Sequence, residues 1–121
     1  YVVNHEARIH VLPENVSLLA AALTEPLACG VHAVIERGHV HKGDIVCVFG
    51  AGAIGQMVAQ VAHACGATVI MAGLSSDVER LQIATQCGIQ RTVDQQAEEL
   101  SGVISEMTNA PSRLQTKRWK S

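Results

Sequence analysis

Aromatic side chains are almost missing from this chain: one Trp, one Tyr and one Phe stand among 121 residues. Stacked rings are thereby excluded as the basis of a core, and an aliphatic interior of Ala, Val and Ile is expected instead. No apolar run approaches the ~20 residues that span a bilayer, and no charged segment followed by an apolar signal core opens the chain. A cytoplasmic protein without a membrane partner is therefore expected. Strong charge is lacking too, since a formal net charge of -2 supplies no global attraction to nucleic acid. No Cys-x-x-Cys pair occurs. Cys29, Cys47, Cys65 and Cys87 are widely separated among small or apolar neighbours, which reads as reduced core residues rather than zinc ligands or disulfides. The six histidines are scattered; His39 and His41 flank Val40 in what reads as a solvated turn.

What the chain does carry is a glycine pattern in a telling context. The apolar segment Ile45-Val46-Cys47-Val48-Phe49 runs directly into Gly50-Ala51-Gly52-Ala53-Ile54-Gly55. Gly50 allows a tight exit from a strand, Gly52 keeps a Cβ away from an approaching pyrophosphate, and Gly55 permits close helix packing. The amide end and positive dipole of the helix then face phosphate charge. Ile54, Met57, Val58, Val61, Ala62 and Cys65 recur at helical spacing, and Gly66 suits the C-terminal stop. Thr68-Val69-Ile70-Met71-Ala72 reads as a second buried strand. The unit is strand, glycine turn, helix, strand. Its bland alternative is a βα turn that binds nothing.

On either side the pattern continues. A short apolar helix is expected over Ser17 to Leu23, and Pro26 suits the first turn of a longer one whose face comprises Leu27, Val31, Val34 and Ile35, with Gly38 as its stop. Ser76 and Glu79 have capping-box spacing ahead of a helix that Gly88 ends. Ile89 to Val93 is expected as a short strand and Glu98 to Met107 as a helix. Three βα units with right-handed crossovers imply a parallel sheet. Four of the nine Lys/Arg residues, Arg113, Lys117, Arg118 and Lys120, crowd the last stretch, which lacks periodicity and reads as an irregular or disordered basic tail.

The ordered series Tyr1-Val2-Val3, Leu12-Pro13-Glu14-Asn15-Val16-Ser17, Ala21-Ala22-Leu23-Thr24-Glu25-Pro26-Leu27-Ala28, Val31-His32-Ala33-Val34 and Lys42-Gly43-Asp44 leads into the glycine motif. Over residues 1 to 109 the chain thereby resembles the zinc-type medium-chain alcohol and polyol dehydrogenases, in particular their sorbitol and threonine dehydrogenase branch. The resemblance implies an α/β fold: a partial Rossmann doubly wound parallel sheet, preceded by a short segment from the catalytic-domain junction. Residues 1–24 correspond to the end of the GroES-like catalytic domain and the junction, 25–109 to the N-terminal part of the NAD(P)-binding domain, and 110–121 to the basic tail. It also implies hydride transfer between a secondary alcohol or polyol and a nicotinamide, with zinc in the intact enzyme and homo-oligomers common among members.

Three departures qualify that resemblance. The family's cysteine and Gly-His-Glu zinc ligands lie outside the matched segment, leaving Glu25 as the one residue at a metal-facing position; before Pro26 it could equally cap a helix. At the end of the second strand, where NAD-specific relatives place an acid, stands Gly73. Losing that acid removes the repulsion of a 2′-phosphate, and Ser75, Ser76 and Arg80 follow as donors, so NADP is preferred to NAD. After Asn109 the family pattern is abandoned, as a frameshift, a premature stop or an artificial terminus would produce. The leading expectation is a catalytically silent part of an NAD(P)-dependent dehydrogenase. A nucleotide-binding module or partner subunit is the alternative, and nucleic-acid binding by the tail is a third reading with little support.

Overall fold

A computed structural model describes residues 2–109. The expected basic tail at 110–121 lies outside the described residues, as does Tyr1.

The first segment is mostly irregular, with one 3₁₀ turn at Glu6–Arg8 and a single helical turn, α1, at Leu18–Ala21. Ser17 caps α1, its hydroxyl accepting from the Ala20 amide at 3.1 Å. The long helix expected around Pro26 begins as α2 (Thr24–Val31) and then widens into a π-helical stretch over His32–Arg37. Of the expected face only Val34 is buried. Leu27, Val31 and Ile35 are exposed, while Gly30 and Val34 face inward. The reason is closeness of approach: a Cβ on Gly30 would lie 3.1 Å from the Met57 carbonyl carbon and oxygen. The stop also differs in kind. Gly38 has a right-handed φ of -82°, and the left-handed residue is His39 at 47°. A glycine is still demanded at 38, because a Cβ would come 2.9 Å from the Ala33 carbonyl oxygen.

From here the chain alternates strand and helix. β1 (Ile45–Phe49), α3 (Ala53–Ala64), β2 (Thr68–Gly73), α4 (Val78–Gln86), β3 (Arg91–Asp94) and α5 (Leu100–Thr108) follow in order. The strands form one parallel sheet ordered β1-β2-β3, in which Val46 lies opposite Val69 and Ala72 opposite Val93. Central strand β2 is buried along Val69, Ile70, Met71 and Ala72, as an apolar run between two partners requires. One face packs Val48, Val69 and Met71 against Ala59, Val61 and Ala62 of α3 and Leu81 and Ala84 of α4. The opposite face packs Ile70 and Val93 under Val103 of α5, with Cys47, Leu100, Ile104 and Met107 around them. Helices on both faces make the sheet doubly wound.

Several boundaries correct the expectations. β3 starts at Arg91, with Ile89 buried before it, and α5 starts at Leu100. Ile54 on α3 is exposed, whereas Gln56 is buried. Gly66 and Gly88 do end helices in the left-handed region, at φ of 84° and 88°. The cysteines are all free, but Cys29 and Cys87 are exposed and only Cys47 and Cys65 are part-buried; burial pushes the Cys47 thiol up.

Candidate dinucleotide-binding site

The glycine run occupies the carboxyl edge of the sheet. Gly50 leaves β1 with φ of 93°, a conformation L side chains rarely adopt. Its amide donates to the Ala72 carbonyl at 2.8 Å, which ties the turn to the end of β2. Ala51 is buried beneath the turn. Gly52 then serves as N-cap of α3, and among the described residues no side chain caps the first helix amides. A Cβ on Gly52 would meet nothing within 4 Å. That open space is what a phosphate needs. Gly55 is the reverse case, for a Cβ there would overlap the Gly50 carbonyl oxygen. Its role is to close the turn on itself, a tighter contact than the helix–sheet packing expected of it. Ala53 and Ile54 are exposed at the same helix end.

Gln56, which the sequence did not single out, braces this turn. Its Nε2 donates to the Arg80 carbonyl at 2.8 Å and lies 3.4 Å from the Ala51 carbonyl, so it links the turn to α4. Its Oε1 is buried without a partner among the described residues. Gln56 and Gln60 interrupt the same apolar run, and their spacing alone does not tell the buried one from the half-buried one.

At the end of β2, Asp77 lies between two of the expected cofactor residues, with its Cβ beside Gly73 and its carboxylate paired with Arg80. Gly73 is buried, and a Cβ there would lie 3.2 Å from Leu81 Cδ2 and 3.3 Å from Asp77 Cβ. The expected capping box at Ser76 and Glu79 does not form. A 3₁₀ turn over Ser75–Asp77 precedes α4 instead, and Asp77 takes the capping part: its Oδ2 accepts from the Leu74 amide at 3.2 Å. Its Oδ1 accepts from Arg80 Nη1 at 2.7 Å. The Leu74 amide first, then the Arg80 guanidinium, holds the Asp77 carboxyl below the usual carboxylate range. The Ser75 hydroxyl donates to Asp94 Oδ2 at 2.6 Å and its amide to Gln96 Oε1 at 3.1 Å, while Ser76 is exposed. Asp94 lies opposite Gly73 in the register of β2 and β3.

Glu25 stands apart from these groups. It is exposed in the first turn of α2 and makes no side-chain cap; its Oε1 accepts from Cys29 Sγ at 3.7 Å. Among the described residues no group of three or more His, Cys, Asp or Glu side chains could hold a metal ion. The described residues therefore do not fit zinc.

A parallel sheet wound on both faces, with a glycine turn opening a helix at the carboxyl end of its first strand, is the first half of a Rossmann-type dinucleotide-binding unit. The comparisons agree. The chain belongs to the zinc-binding dehydrogenase family, whose model matches residues 53–113. It is 40% identical over 109 residues to D-arabitol-phosphate dehydrogenase of Enterococcus avium, covering 90% of this chain and 31% of that protein. Against sorbitol dehydrogenase of Halalkalibacterium halodurans the identity is 43%, covering 90% and 32%. Among solved structures, 2R,3R-butanediol dehydrogenase from Bacillus subtilis superposes with a TM-score of 0.71 at 34% identity, covering 81% of this chain and 28% of that one. The alcohol dehydrogenase TADH from Thermus sp. ATN1 gives 0.73 at 28% identity, covering 83% and 28%. This chain spans about a third of the length of the curated relatives it matches. Membership is in a family of polyol and alcohol oxidoreductases that use NAD(P) and zinc in general.

Proposed function

We propose that residues 25–109 supply the pyrophosphate and adenosine part of the nicotinamide-nucleotide site of a polyol dehydrogenase, with residues 1–24 as the junction to its catalytic domain. The observation that carries this reading is the pairing of Gly52, open to approach, with Gly55, closed against Gly50, at an uncapped helix N-terminus. The α3 amides and dipole would hold the pyrophosphate, and a bound nicotinamide would supply the hydride acceptor or donor. The whole protein's reaction is hydride transfer between a secondary alcohol of a polyol and that nicotinamide. Glu25 is assigned to the metal-facing position of the intact enzyme.

Gly73, with Ser75, Ser76 and Arg80 after it, favours NADP over NAD. The Ser75 hydroxyl is engaged with Asp94, so Arg80 is the main donor for a 2′-phosphate. A second reading, a nucleotide-binding module without turnover, is favoured for the 121-residue chain by the contrast between a formed glycine turn and the lack of a metal-holding group among the described residues. Calorimetric titration of the purified chain with NADPH tests the nucleotide reading. Binding that protects the amides of residues 50–55 from exchange, and that Gly52→Val abolishes, supports it; equal binding by Gly52→Val, or none by either protein, overturns it. The binding-module reading predicts no sorbitol oxidation when the purified chain is supplied with NADP+ as hydride acceptor, and steady turnover would sink it.

A further inference from the structure

We infer that Asp77 is a specificity-determining residue of this chain, standing in for the missing strand-end acid and setting, with Arg80, the balance between NAD and NADP. The inference rests on the nucleotide reading above. A side chain at Gly73 would be crowded, because its Cβ would lie 3.2 Å from Leu81 Cδ2 and 3.3 Å from Asp77 Cβ. With its Cβ 3.3 Å from that point, Asp77 roots a carboxylate beside the end of β2 from four residues further along the chain. The Leu74 amide fixes one oxygen and Arg80 engages the other.

The two partners differ in freedom. The Asp77 side chain is 17% exposed and held by backbone, whereas that of Arg80 is 62% exposed and, among the described residues, engages Asp77 through one of its five donors. Gln56 anchors the backbone of Arg80 through its carbonyl, so the guanidinium swings from a fixed root. A ribose 2′-hydroxyl is a donor that the Asp77 carboxylate can accept. A 2′-phosphate is a dianion that draws Arg80 while Asp77 both competes for the guanidinium and repels the phosphate. The pair thus moderates the preference for NADP that Gly73 permits.

Calorimetric Kd values for NADPH and NADH on the full chain, compared as a ratio, test this. Asp77→Asn keeps an oxygen for the Leu74 amide but removes the charge and turns an NH2 donor toward Arg80 in place of its acceptor; with the guanidinium released, the ratio is expected to shift toward NADPH by roughly tenfold, the scale of one unscreened charge at a partly solvated site. Arg80→Ala, which leaves Asp77 unpaired, is expected to shift it toward NADH by a similar factor. A ratio within twofold of wild type in Asp77→Asn, or equal weakening of both nucleotides in either variant, overturns the inference and assigns the pair a purely structural role. If the wild-type chain binds neither nucleotide, the nucleotide reading fails and this inference with it; an unchanged ratio in chains that do bind overturns the inference alone.

Discussion

Glycines that look equivalent in the pattern serve opposite needs. Gly55 is required by the fold, since a Cβ would overlap the Gly50 carbonyl, whereas at Gly52 a Cβ would meet nothing. Gly55→Ala is therefore expected to destabilise the chain by about 1 to 3 kcal/mol, the usual cost of overfilling a packed site. Gly52→Ala has φ of -70° to occupy and is expected to cost about 0.5 to 1 kcal/mol, because Ala is a poorer N-cap than Gly, while weakening nucleotide binding. Urea denaturation of the two variants beside calorimetric titration separates the effects. The motif made the three positions legible as a group. Which of them serves the ligand and which the backbone depended on where the Gly50 carbonyl points, a matter of three-dimensional approach that no spacing encodes.

At the scale of elements, periodicity located the strands and helices well and their buried faces less well. β1 falls where its apolar run predicts, and β2 extends one residue beyond Ala72. The inward edge of α2 was misread because it is set by Gly30, a residue with no hydrophobic signal whose value is the close approach it allows to Met57 and Val58. Capping was misassigned for a related reason: Ser76 and Glu79 have the right spacing, but the 3₁₀ turn over Ser75–Asp77 delays the start of α4 and hands the cap to Asp77. Gln56 couples two elements, α3 and α4. Replacing it with Leu removes its hydrogen bond to the Arg80 carbonyl and also the orphaned Oε1, so the two effects oppose and stability is expected to change by less than about 1 kcal/mol. Exchange of the amides of residues 51–55 in the nucleotide-free Gln56→Leu chain is nonetheless expected to be faster, because the brace between turn and helix is gone. Hydrogen-exchange mass spectrometry would show this, and unchanged exchange would mean that Gln56 is only core filling.

Over the whole molecule, the described residues build a sheet buried on both faces at β2 but leave apolar side chains exposed elsewhere. Phe49 at the end of β1 and Leu18, Leu19, Leu23 and Leu27 on the helical segment before it are among them. No helix among the described residues is long and apolar enough to cross a membrane. The stability of this fold is expected to respond to acid through Asp77. Its carboxyl sits below the usual range in the folded chain, so the unfolded chain binds the proton more readily. The contribution is complete at pH values above the ordinary carboxylate range and is lost as pH falls through that range to the lower folded value. The stability gap between wild type and Asp77→Asn, measured by urea denaturation, should thus be largest near neutral pH and shrink toward acid. A constant gap would mean that the carboxylate charge plays no part.

The fold class, the three βα units, the glycine turn and the family were determined by the sequence alone, because each rests on local order along the chain: hydrophobic period, turn chemistry and a run of short matching segments. The tertiary structure decided which residues meet. Gly30 against α3, Gln56 against α4, and the Asp77 carboxylate beside Gly73 all depend on the crossing of elements distant in sequence or on a turn that shifts a helix start. Such contacts are set by packing distances between backbones, and the sequence carries them only as a missing side chain or a lone polar one.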